Sequence, residues 1–105
     1  MHEQIEQWRI EAEKWLDLQK AADLLRGTKN DVFAEMTSKM DGSSEAEKQR
    51  LARVSPEWKA FRDSVVEAEA KARQAKMLSK YADMKVWAAN SENANARKER
   101  GQYQA

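Results

Sequence analysis

Cysteine is missing from this 105-residue chain, so disulfides, thiolate nucleophiles and thiolate metal sites are excluded. Histidine occurs once, as His2, so general-base, triad and imidazole-metal chemistry lose their usual residue. No Glu-x-x-His pair exists, which removes the paired motif of ferritin-like di-iron bundles. Glycine stands only at 27, 42 and 101, leaving no phosphate-cradling loop. Carboxylates such as Glu11 with Glu13, or Glu67 with Glu69, are two residues apart and point differently on a helix. The expectation is a protein that is not an enzyme and carries no cofactor or metal. No run of about 18 apolar residues is present to cross a bilayer. The opening Met1-His2-Glu3-Gln4 lacks the basic and apolar parts of a signal peptide. A cytoplasmic protein without a membrane partner is expected.

Proline occurs only at 56, and no stretch alternates apolar and polar residues with β-branched enrichment. The charged fraction is 35% and the chain is rich in Ala, Glu, Lys, Arg, Gln and Met, a composition that builds long helices. Four tryptophans argue against a disordered chain, because indoles need a surface to pack on.

Ile5, Trp8, Ala12, Trp15, Leu18, Ala22 and Leu25 recur every three or four residues and mark one face of a helix. Val32, Met36 and Met40 continue that face past Gly27, which predicts one helix over about 3–40. Asp41-Gly42-Ser43-Ser44 is the clearest turn, with Gly42 available for a left-handed cap. Ser44 and Glu47 form an S-x-x-E capping box for a short helix over about 44–53. Ser55 caps the next helix and Pro56 opens it, where the missing N–H costs nothing. From there about forty residues pass without a breaker, a rod of roughly 60 Å at 1.5 Å per residue. Trp58, Phe61, Val65, Ala68, Ala72, Ala75, Ala82, Val86 and Ala89 are its stripe, and the helix is expected to run over about 56–96. Residues 99–105 are read as a flexible tail, and 1–98 as one domain.

Two long helices joined by a short elbow predict an all-α fold, a long antiparallel hairpin of coiled-coil type. Ile10, Leu16, Leu24, Phe33, Val66, Leu78, Tyr81 and Met84 exceed what one seam hides. Apolar surplus of that kind implies a partner, and a second copy completing a four-helix homodimer is the simplest.

Net charge is +1, yet residues 58–105 hold ten Lys/Arg against six acids, while 1–57 hold nine against twelve. Arg73, Lys76 and Lys80 share a helix face, and with Arg97, Lys98 and Arg100 they are candidates for phosphate contacts. Pairing of a basic second helix with an acidic first one accounts for the same pattern. Trp87 stands apart from the stripes at the edge of an Asn-rich segment. With Tyr81, Met84 and Asn90 it forms the candidate protein-binding set.

The elbow Asp41-Gly42-Ser43-Ser44-Glu45-Ala46-Glu47-Lys48, the junction Ala52-Arg53-Val54-Ser55-Pro56-Glu57-Trp58, and the ending Val86-Trp87-Ala88-Ala89-Asn90-Ser91 with Asn93-Ala94-Asn95-Ala96-Arg97 share a pattern. It resembles small helical proteins of unassigned function encoded by tailed bacteriophages and prophages, over roughly residues 35–100. Ala88 stands where that family often has Arg. The resemblance implies a non-catalytic accessory protein of a phage recombination or replication system, acting in host cytoplasm on a phage or host protein. An inhibitor of a host defence enzyme fits the same surface.

Overall fold

The computed structural model describes the backbone of residues 2–104 and the side chains of residues 2–97. It is all-α, with no strand among the described residues. The helices are α1 (His2–Gly27), α2 (Lys29–Ser38), α3 (Glu45–Arg53) and α4 (Pro56–Gln104).

The expected 3–40 helix is therefore interrupted once, but Gly27 is not the break. Gly27 belongs to α1, and no described glycine has a positive φ. The interruption is Thr28 alone, whose φ of −85° and ψ of −3° remain right-handed helical. Its amide (3.2 Å) and its hydroxyl (2.7 Å) both donate to the Leu25 carbonyl, tightening one turn to a 3₁₀ pattern. Val32 N–H already returns to Thr28 O at 2.9 Å.

Gly42 does not take the left-handed cap expected of it. A Cβ there would lie 2.9 Å from Lys48 Cγ and 3.0 Å from Lys48 N, so glycine permits close approach of the turn to α3. Ser44 caps α3 by accepting from Glu47 N–H at 3.2 Å. The Glu47 carboxylate reaches back to Ser43 rather than Ser44, accepting from its N–H at 3.1 Å and from its hydroxyl. Ser55 accepts from Trp58 N–H at 3.2 Å and donates to Ala52 O at 2.6 Å, so one hydroxyl ties the end of α3 to the start of α4. At the far end α4 continues past 96 to Gln104, where a tail was expected from 99. Asparagine lowers helix propensity by only a few tenths of a kcal/mol relative to most residues, and the alanines between offset it.

Two compact units contain the chain: residues 18–72, here the elbow unit, and residues 1–17 with 73–105, the terminal unit. In the elbow unit the second half of α1, then α2, runs antiparallel to the start of α4. Arg26 meets Glu69 at 3.4 Å and Phe33 meets Trp58, so positions advance along one strand of the pair as they retreat along the other. Trp58 is only 6% exposed, stacked on Phe61 at 5.5 Å and tilted against Phe33 at 4.9 Å. Ala22, Ala52, Ala72 and Thr37 close the core, and the Thr37 hydroxyl bonds Phe33 O at 2.8 Å.

In the terminal unit the first half of α1 lies antiparallel to α4: Lys76 Nζ sits 5.6 Å from the Trp15 ring, and Gln4 and Gln7 border Ala82 and Lys85. The buried residues are small, Ala75, Ser79 and Ala82. Ser79 is a seam position that hydropathy missed. On α1, Glu11 takes part in this seam beside Trp15 while Ile5 remains 43% exposed.

Candidate functional site

No group of three or more His, Cys, Asp or Glu able to hold a metal exists among the described residues. No helix of the described chain is long and apolar enough to cross a membrane. What distinguishes this molecule is where its large apolar side chains lie. Twelve are exposed among the described residues, and nine of them belong to the terminal unit: Ile5, Trp8, Ile10, Leu16, Met77, Leu78, Tyr81, Met84 and Trp87.

The α4 part of this set is ordered. Ala75, Ser79 and Ala82 face inward, so Met77, Tyr81 and Met84, spaced by four and three, fall on the opposite side of the helix. Trp87 follows Met84 by three and is 69% exposed. Three of the four residues chosen for protein binding, Tyr81, Met84 and Trp87, thus share an outer face. Met77 completes it, and sequence reasoning missed it because apolar residues on both sides of α4 blur the periodicity. Asn90 is exposed but lies off this face, next to the seam residue Ala89.

Cations border the stripe. Arg73, Lys80 and Trp87 are seven apart and align along one edge, so two of the phosphate-contact candidates and the candidate tryptophan occupy one surface. Arg73 and Lys80 are exposed and form no ion pair among the described residues. Glu69 reaches Arg26 at 3.4 Å rather than Arg73 one turn on, while Glu67 pairs with Lys71 at 3.3 Å. Lys76, a third candidate and also exposed, has its Nζ 5.6 Å from the centre of the Trp15 ring. Lys85 Nζ lies 4.6 Å from the Tyr81 ring on the other edge. Arg97 is exposed. The side chains of Lys98 and Arg100 lie outside the described residues.

A second feature was not legible in the chain. In the elbow unit Lys29, Asn30, Arg53 and Arg62 line a groove of about 430 Å³ against Phe33 and Trp58. Its cations come from three helices far apart in sequence, and no local motif announces them.

Comparison with protein-family models, with curated proteins and with solved structures finds nothing that matches this chain.

Proposed function

We propose that this is a non-catalytic helical protein that binds another protein through the outer face of α4 in the terminal unit. One observation carries the reading: Met77, Tyr81, Met84 and Trp87 present a continuous apolar stripe to solvent while the same unit buries only alanines and a serine among its described residues. A face of that kind, bordered by charge, is the usual form of a helix-docking surface. The setting, an accessory role in a phage recombination or replication system, rests on the resemblance of the elbow, junction and ending motifs, and inhibition of a host defence enzyme would use the same face. The test is a side-by-side pull-down with wild type and with Met77→Ser/Met84→Ser from cells that carry the gene. A partner retained by wild type and lost by the variant is expected; equal retention by both removes the reading.

Two other readings have specific support. Ile10 and Leu16, exposed on α1 in the same unit, favour pairing with a second copy into a four-helix homodimer. A solution mass near the 12.1 kDa of one chain would reject it. Unpaired Arg73 and Lys80 favour nucleic acid on the outer face, with affinity that falls steeply as salt rises.

A further inference from the structure

The elbow-unit groove uses none of the residues of the face invoked above. Lys29 and Asn30 reach it from the start of α2, Arg53 from the end of α3 and Arg62 from the second turn of α4. Its floor is aromatic: Phe33 tilts against Trp58 at 4.9 Å, and the Arg53 guanidinium sits 5.6 Å from the centre of the Phe33 ring. No carboxylate lines the groove, and neither Lys29, Arg53 nor Arg62 forms an ion pair among the described residues. An adjoining groove shares Lys29 and Arg62 and contains one acid, Glu69, but that carboxylate is engaged by Arg26 at 3.4 Å. Three like charges from three separate helices therefore converge without internal compensation. An anion placed in the groove is attracted by all three.

We propose that this groove binds a small phosphorylated ligand carrying two or more negative charges. Guanidinium groups suit it, since their planar fork of donors matches phosphoryl oxygens. Packing of Arg53 on Phe33 holds one of those forks in place before a ligand arrives. Lys29 supplies a point charge and Asn30 an amide. A volume of about 430 Å³ is that of a small-molecule site, whereas a nucleic-acid strand calls for a longer track of cations.

Titration with inorganic pyrophosphate, followed by ³¹P NMR and calorimetry at ~50 mM salt, tests this on the full chain. Saturable binding is expected, weakened about tenfold or more by Lys29→Gln/Arg62→Gln and unchanged by Arg73→Gln/Lys80→Gln. All four side chains are exposed, and circular dichroism checks that both variants keep the fold. Absence of saturation at millimolar pyrophosphate overturns the proposal. Equal loss in both variants does so too, since it would mean diffuse attraction to positive charge. Displacement of pyrophosphate by a short oligothymidine at lower concentration would also overturn it, in favour of a polynucleotide surface. None of these outcomes touches the outer-face stripe, which is tested by its own variant.

Discussion

The elbow unit and the terminal unit use the same kind of helix pair and the same three-and-four spacing, but fill it oppositely. The elbow unit places Trp58 inside, against Phe33 and Phe61, and exposes three large apolar side chains, Leu24, Val54 and Val66. The terminal unit, among its described residues, buries Ala75, Ser79 and Ala82 and leaves nine such side chains in solvent. It also holds three buried polar atoms without a hydrogen-bond partner in the protein: Gln4 Oε1, Glu11 Oε2 and Trp15 Nε1. Each such atom costs on the order of 1–3 kcal/mol. Bulk placed inside specifies a fold, and bulk left outside is available to something else.

Trp58→Ala should break the elbow unit, costing about 3–5 kcal/mol in denaturant unfolding. Trp8→Ala, at a site already 40% exposed, should cost far less; equal costs would erase the contrast between the units. Amide exchange comes next. Residues 5–15 of α1 should exchange about tenfold or more faster than 18–25, because the unbonded polar atoms lower the cost of opening the terminal unit. Ser55→Ala should lose about 1 kcal/mol, since its hydroxyl serves both α3 and α4. Gly27→Ala should raise stability by up to ~1 kcal/mol, because a Cβ there meets nothing within 4 Å. The smallest effect belongs to Glu47. Hydrogen bonds from the Ser43 hydroxyl and then the Ser43 amide hold its carboxyl below the ordinary value of 4.5. Its contribution is therefore present above pH 4.5 and lost as pH falls through the lowered folded value. Glu47→Gln should be slightly less stable than wild type at neutral pH, with the gap closing in acid; a gap that widens in acid would reverse the assignment.

Caps were the most legible part of the sequence. Ser44 and Ser55 act through bonds to residues three positions away, and Pro56 through its fixed φ and missing donor, so spacing and residue type alone reveal them. The main stripes of α1 and α4 were legible for the same reason. Ser79 was not, because a seam lined by alanines accepts a hydroxyl without a change in size. Glu11 was hidden by its charge: it is half-buried like its neighbour Ala12, while the more hydrophobic Ile5 stays exposed, because geometry rather than hydropathy decides which turns inward. Gly42 was misread because a glycine after a helix suggests a left-handed cap, whereas here the need is space against Lys48. The candidate surface was half visible: Tyr81, Met84 and Trp87 were apparent as surplus, but Met77 and the convergence of Lys29, Arg53 and Arg62 required three-dimensional proximity.

Arg9 bonds Glu6 on one side and Glu13 at 2.8 Å on the other, while Gln7 donates to Glu11 at 2.8 Å. Every one of these contacts is made within α1 and needs nothing from α4. Such i,i+3 and i,i+4 pairs favour helix locally, so they bias this part of α1 toward helix even when released. Should a ligand draw α4 away, the freed segment would keep part of its shape, and re-engagement would not have to begin from a coil.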